Sequence, residues 1–269
     1  MIDFPPAKIN LGLRVIRRRD DGYHDLFTVF YPIPWHDVLE ILPSDGFSFH
    51  SYGLVIPGEA SDNLVVKAWQ LLHATRGIPP VSIHLMKNIP MGAGLGGGSS
   101  DAAYALRMLD QLFELHISAE EMKVLALQLG SDCPFFLHPQ PCSASGRGEV
   151  LQPLDFSLKD HFLVMVKPEI HISTRDAYGN IQPCVNPHPA EILRQPKETW
   201  REALVNDFEA WALQAYPELI ALKQALYDSG AFYASMSGSG SAFYGLFDIY
   251  PALSEKIMLY KPRILRLRQ

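Results

Sequence analysis

Residues 81–113 read VSIHLMKNIPMGAGLGGGSSDAAYALRMLDQLF. Val81 to Lys87 has the composition of a strand, and Ala102, Ala105, Leu106, Leu109, Leu112 and Phe113 recur at helical spacing. Between them, Gly92, Gly94, Gly96, Gly97 and Gly98 lead into Ser99, Ser100 and Asp101. A tight turn alone rarely needs so many glycines, because each loses more chain entropy on folding than any other residue. Their bare backbone instead offers N–H groups at a helix N-terminus, where partial positive charge favours a phosphate. The stretch therefore predicts strand, phosphate-binding loop, helix.

Other motifs compete for the same glycines. Gly92-x-Gly94-x-x-Gly97 has the spacing of the dinucleotide-binding fingerprint, but that motif follows a first strand and leads through its helix into a second strand. Here another helix follows: Ser118 with Glu121 three residues on makes a capping-box pattern, and Gly130 is a stop signal. No Lys-Ser or Lys-Thr closes the loop, which disfavours a P-loop NTPase. There is no Gly-x-Ser-x-Gly elbow, and the ten histidines are scattered without a metal-ligand spacing. Hydrolase and metalloenzyme chemistry lack support, and no metal site made of protein ligands alone is expected.

On the N-terminal side, Lys8 to Ile16 alternates apolar with other residues, as a half-buried strand would. It runs into Arg17-Arg18-Arg19-Asp20-Asp21-Gly22, where Asp-Gly predicts a turn that puts Tyr23 and His24 near a loop tip. Strand-like runs follow at Leu26 to Ile33, Val38 to Leu42 and Phe47 to His50. Ser61-Asp62-Asn63 supplies N-cap side chains for a helix carrying Leu64, Ala68, Leu71 and Leu72 and ending before Gly77. C-terminal to the quoted stretch come a strand at Phe162 to Val166, a loop from Pro168 to Tyr178 and a Pro-rich connection from Gln182 to Pro189. Helical patterns return at Thr199 to Ala215 and Glu218 to Ser229, and a small-residue loop, Met236 to Ser241, precedes the apolar run Ala242 to Phe247. The pattern is α+β in both halves, with a boundary near residue 155 that divides the chain into domains 1–155 and 156–269.

The net charge of −6 gives no overall attraction to nucleic acid or an anionic membrane, so neither is an expected partner. The arginines at 17–19 are most simply a solvated face, although they would also suit a phosphorylated substrate. Cys133, Cys142 and Cys184 are an odd number without a Cys-x-x-Cys pair, which fits a reducing cytoplasm rather than a disulfide framework. No segment approaches the roughly 18 apolar residues of a membrane span, and the N-terminus does not read as a signal peptide. A soluble cytoplasmic protein, monomer or homodimer, is expected.

The run Pro90-x-Gly-x-Gly-Leu-Gly-Gly-Gly-Ser-Ser100 resembles the central nucleotide-binding motif of the GHMP kinases. Further segments fall in that family's order: Pro6-Ala7-Lys8-Ile9-Asn10-Leu11 with Asp21-Gly22-Tyr23-His24, Asp62-Asn63-Leu64, Gly130-Ser131-Asp132-Cys133-Pro134-Phe135-Phe136, Ser173-Thr174 to Tyr178, and Ser237-Gly238-Ser239-Gly240. The ending Gly-Gly-Gly-Ser-Ser-Asp-Ala-Ala resembles the branch whose acceptor is a cytidine diphosphate-linked sugar alcohol of the non-mevalonate isoprenoid route. The resemblance implies an N-terminal domain like the second domain of ribosomal protein S5, a ferredoxin-like C-terminal domain and an active site in the cleft between them. It also implies ATP as donor and Mg²⁺ entering with it, held largely by phosphates and water. Homoserine- or mevalonate-type kinases, and a non-catalytic relative, are the rival readings.

Direct phosphoryl transfer needs charge neutralisation, an oriented hydroxyl and a proton acceptor. Asp132, at the end of a Gly-Ser turn, matches the family's catalytic base, although an Asp at this point would also serve as an N-cap. Lys8 is assigned by the motif to hold that carboxylate ionised and to steady the phosphoryl group. By the same resemblance Asn63, Lys87, Pro90, Met91, Gly92, Ala93, Gly94, Leu95, Gly96, Gly97, Gly98, Ser99 and Ser100 line the nucleotide, with Ser99 or Ser100 offering oxygen to the metal. Asn10, Tyr23, His24, Thr174, Tyr178, Gly238 and Ser239 face the acceptor, with Tyr23 and Tyr178 sandwiching a base and His24 reading its edge. Taken alone, those tyrosines are as readily half-buried loop anchors, and Thr174 a structural threonine.

Overall fold

The computed structural model describes residues 1–183 and 187–268, so Cys184 and part of the Pro-rich connection lie outside the described residues. Along the chain the strands are β1 Ile2–Asp3, β2 Pro6–Arg18, β3 His24–His36, β4 Val38–Pro43, β5 Ser48–Gly53, β6 Val81–Lys87, β7 Cys142–Ser145, β8 Val150–Pro153, β9 Phe162–Val166, β10 Tyr233–Met236, β11 Phe243–Phe247 and β12 Arg263–Arg266. The helices are α1 Leu64–Arg76, α2 Gly97–Leu112, α3 Ala119–Leu129, α4 Cys133–Leu137, α5 Thr174–Gly179, α6 Pro189–Ile192, α7 Trp200–Ala203, α8 Phe208–Ala215, α9 Glu218–Asp228 and α10 Glu255–Met258.

These elements form two compact units that interleave along the chain. One comprises residues 1–7, 35–91 and 96–139, and the other 8–34, 92–95 and 140–269. The first holds a sheet in the order β1-β4-β6-β5, with β5 parallel to β6 and the other pairs antiparallel. Helices α1 to α4 belong to this unit. Asn63 caps α1 by accepting from the Val65 N–H, and Gly77 closes it in the left-handed conformation, as the sequence predicts.

The second unit holds two sheets, β2-β3-β7-β8 and β10-β11-β9-β12. In the latter every pair is antiparallel. Helices intervene between β9 and β10, and α10 lies between β11 and β12. That connectivity and strand order are the ferredoxin-like arrangement. Leu13, Val164, Phe208, Leu222, Phe243 and Phe247 share its apolar core.

Four expectations change. The opening strand is not half-buried: residues 6–13 are all buried, so Lys8 and Asn10 must find partners inside the protein. The helix after the glycine run starts at Gly97 rather than after it. Residues 174–179 are helical rather than loop, because the Ser173 side chain accepts from the Asp176 N–H and caps them. The helical pattern from Thr199 to Ala215 breaks between α7 and α8, where Leu13 donates its N–H to Val205 O (3.0 Å) and its carbonyl accepts from the Asp207 N–H (2.8 Å). Gly12 makes room for this pairing with φ +67°, a conformation that favours glycine.

The predicted capping box is half formed. Ser118 Oγ accepts from the Glu121 N–H at 3.3 Å, but the Glu121 carboxylate pairs with Arg76 at the end of α1. Ser118→Ala should therefore cost about 1 kcal/mol, or roughly 2–4 °C in Tm, whereas Glu121→Ala removes only an exposed pair worth less than about 1 kcal/mol. Thermal melts in which the Glu121 variant loses as much as the Ser118 variant would contradict this division.

Candidate active site

The second half of the glycine run opens α2 within the first unit. Gly96 is its N-cap with φ +69°, so the N–H groups of the first turn lack intrahelical partners. Gly98 faces the start of α1, where an added Cβ would lie 3.9 Å from Leu64 Cδ1. Ser99 is partly exposed in that turn, while Ser100 is buried and its Oγ finds no hydrogen-bond partner among the described residues.

Beneath this turn lies a buried ionic cluster. Lys87, expected to line the nucleotide, is 2% exposed and spent on two carboxylates, pairing with Asp37 Oδ2 and with Asp101 Oδ2 at 2.7 Å. Asp37 Oδ1 also accepts from the Asn88 N–H (2.5 Å) and the Ile89 N–H (2.8 Å), fixing the chain as it enters the loop. A Cβ at Gly97 would stand 2.9 Å from Lys87 Nζ, so the helix rests directly on the ammonium. Lys87 thus supports the loop from below. Two carboxylates share one cation here, and Asp101 Oδ1 is buried without a hydrogen-bond partner among the described residues. Burial, reinforced by the charge of Asp37 and opposed by Lys87, pushes the Asp101 carboxyl up to about 7. Burial alone would lower the Lys87 ammonium, but Asp101 and Asp37 more than reverse this and raise it.

The first half of the run belongs to the second unit. A Cβ at Gly94 (φ +73°) would lie 1.8 Å from the Ser237 carbonyl oxygen, so only glycine permits this approach. The contact is sealed by Ser237 Oγ donating to Gly94 O (2.8 Å) and by the Ala242 N–H donating to Ala93 O (3.3 Å). Ala93 and Leu95 are buried, Pro90 is partly exposed, and Met91 and Gly92 are exposed.

Lys8 and Asn10 stand beside this contact on β2. The Lys8 N–H donates to Leu95 O (3.0 Å), and its ammonium donates to Asn10 Oδ1 (2.5 Å) and lies 4.9 Å from the Phe30 ring centre. Asn10 Nδ2 donates to Thr28 Oγ1 (2.9 Å), its N–H to Ser237 Oγ (3.3 Å), and its carbonyl accepts from Tyr244 Oη (2.7 Å). An added Cβ on Gly238 would be 3.2 Å from Asn10 Oδ1, so the small-residue loop closes over the same spot.

Tyr23 and Tyr178, expected to sandwich a base, each meet another side chain. Tyr178 stacks on His24 with ring centres 5.0 Å apart and meets Phe208 edge-on at 4.8 Å, while the Arg147 guanidinium covers the Tyr23 ring at 4.6 Å. Burial, aided by Arg18, lowers the His24 pKa, so the ring is neutral at pH 7. Arg17 pairs with Asp25, and Arg19 pairs with Asp21 and Asp25. Two of the three arginines are therefore already committed to carboxylates. Thr174 Oγ1 lies 3.4 Å from Ser239 Oγ, which joins two of the predicted acceptor residues. Asp132 precedes α4 with helical backbone angles, and its side chain does not cap that helix.

Sequence reasoning assigned no role to Asp37, Asp101, Arg147 or Asn206. Asp101 lies in the motif itself, but its partner is 14 residues away on β6. Asp37 and Asn206 carry no local signal, because what makes them matter is carbonyls, amides and ammonium groups brought to them by the fold.

The GHMP kinases N-terminal domain model matches residues 63–140, and the GHMP kinases C-terminal model matches residues 190–255. The 4-diphosphocytidyl-2-C-methyl-D-erythritol kinase of Bacteroides fragilis is 50% identical over 252 residues, covering 92% of each chain. A crystal structure of 4-(cytidine 5′-diphospho)-2C-methyl-D-erythritol kinase superposes with a TM-score of 0.78 at 33% identity, over 98% of this chain and 97% of that one. Homoserine kinase from Cytophaga hutchinsonii shares the fold, with a TM-score of 0.67 at 16% identity over 98% and 96%.

The ionic cluster has a pH signature. The unfolded Asp101 carboxyl loses its proton near 3.8 and the folded one near 7. Between these values the folded chain holds more protons, so this group's contribution to stability falls as pH rises. Asp101→Asn removes that loss and leaves Lys87 paired one to one with Asp37. The Tm difference, variant minus wild type, should become more positive between about pH 4 and about pH 8; a difference that is flat or falls with pH would refute the assignment.

Proposed function

The chain belongs to the GHMP kinase family, and on that premise we propose that it transfers the γ-phosphoryl group of ATP to the 2-hydroxyl of 4-diphosphocytidyl-2-C-methyl-D-erythritol. The 50% identity to the Bacteroides fragilis kinase over 92% of the chain carries this reading. The products are ADP and the 2-phosphate, within the non-mevalonate route to isoprenoid precursors. The family models match on either side of residue 155, which supports reading 1–155 and 156–269 as the ATP-binding and C-terminal modules. Buried free thiols at Cys133 and Cys142 suit a reducing cytoplasm.

The first-turn N–H groups of α2 and the glycine backbone cradle the phosphates of ATP, with Asn63 beside them at the start of α1. Lys87 holds that turn in place rather than meeting the nucleotide. Among the described residues no cluster of three His, Cys, Asp or Glu is arranged to hold a metal. The partly exposed Ser99 and the orphaned Ser100 hydroxyl fit a Mg²⁺ carried chiefly by phosphate oxygens and water. Bound there, Mg²⁺ would neutralise phosphate charge.

The acceptor hydroxyl attacks the γ-phosphorus in line with the departing β-γ bridging oxygen, and Asp132 receives its proton. Lys8, oriented by Asn10, supplies positive charge to the transferring group. Thr174 and Ser239 orient the hydroxyl. Neutral His24, braced by Tyr178, reads the cytosine edge together with its own backbone, and Tyr23 with Arg147 forms a platform beside it.

Incubation with ATP, Mg²⁺ and the cytidine acceptor should yield the 2-phosphate, with the uridine analogue and free methylerythritol turned over far more slowly. Equal turnover of all three would reject the cytidine assignment. Asp132→Asn and Lys8→Ala should each lower kcat by on the order of 10²- to 10⁴-fold while circular dichroism stays native. Near-native turnover in either folded variant would remove that residue from the mechanism.

A further inference from the structure

Asn206 is 1% exposed and lies in the break between α7 and α8. Its Nδ2 donates to two carbonyls of the small-residue loop, Met236 O and Gly238 O, each at 2.8 Å, while its Oδ1 accepts from the Phe208 N–H at 3.0 Å. Both amide donors are thus spent on one loop. The segment carrying Asn206 is clamped to β2 through Val205 O and the Asp207 N–H, and the Asp207 carboxylate takes the Val15 N–H (2.8 Å) and Arg14 Nη1 (2.8 Å). That clamp lies only a few residues beyond Asn10. Gly238 (φ +55°), held by Asn206 on one side, faces Asn10 Oδ1 and Gly94 on the other, and the next residue, Ser239, reaches Thr174.

We propose that Asn206 is a positioning residue for the acceptor: its amide sets the carbonyl directions of Met236 and Gly238, and thereby the place of Gly238 against Asn10 and of Ser239 against Thr174. Carbonyls held this way fix the peptide planes between them, so the loop keeps one shape without a ligand. Asp207 then serves as the anchor of the segment, and Asn206 as its grip on the loop. Ser237 retains its own bond to Gly94, so the nucleotide side depends less on Asn206.

The inference rests on the kinase reading, and wild-type activity on the cytidine acceptor tests that reading separately. Asn206→Ser keeps a small polar side chain but cannot donate to both carbonyls. Asp207→Asn weakens the anchor without touching the loop. With both variants assayed well below their own Tm, Asn206→Ser should raise the acceptor KM by about tenfold and leave the ATP KM within about threefold, as expected for one lost buried donor. Asp207→Asn should lower Tm and leave the acceptor KM within about twofold of wild type. An unchanged acceptor KM in folded Asn206→Ser, an equal rise in both variants, or failure of Asn206→Ser to fold would each overturn the proposal and assign Asn206 to the fold alone.

Discussion

Asn10 is buried in the middle of β2, and its amide, its carbonyl and both ends of its side chain are all committed. They meet Ser237, Tyr244, Lys8 and Thr28 respectively, so one residue ties its strand to β3, to β11 and to the loop after β10. A polar side chain in the buried part of a strand leaves no alternative, since an unmade bond there costs about 1–3 kcal/mol. The same constraint orients the Lys8 ammonium, and Gly94 can approach Ser237 only because it lacks a Cβ. The placement of Lys8 and folding stability thus draw on the same few hydrogen bonds in this unit.

The first unit solves its burial problem at greater cost. Lys87 between Asp37 and Asp101 leaves an excess carboxylate in the interior, and such clusters are seldom the most stable choice compared with apolar packing. What the cluster gives in return is register: Asp37 grips the backbone of Asn88 and Ile89, and the ammonium supports Gly97. The chain is therefore fixed just before the glycine run and again at Gly97 within it. A partial proton on Asp101 eases the charge imbalance, which is the physical sense of its raised pKa.

The aromatic cluster at His24 and Tyr178 shows a different trade. Tyr178 braces His24 instead of offering an open face, and burial keeps that imidazole neutral. A neutral ring carries one donor and one acceptor, whereas a charged one would carry two donors. The hydrogen-bonding pattern of this ring then depends on the packing behind the histidine, not on the histidine alone.

The glycine run, the caps at Asn63 and Ser118, the turn at Gly22 and the strand-loop-helix order were all determined by the sequence alone, because each depends on neighbours within a few residues. The family motifs likewise single out Lys8, Asn10, Tyr23, His24 and Asp132 as candidates. Only the tertiary structure decided that Lys87 lies under the loop, that Asp37, Asp101 and Asn206 matter, and that the helical pattern from Thr199 breaks at Asn206. Helical periodicity persists through that break, but Leu13 supplies backbone partners that a helix would have to forgo. Burial and long-range hydrogen bonding set the value of each of these residues, and neither is written in local spacing.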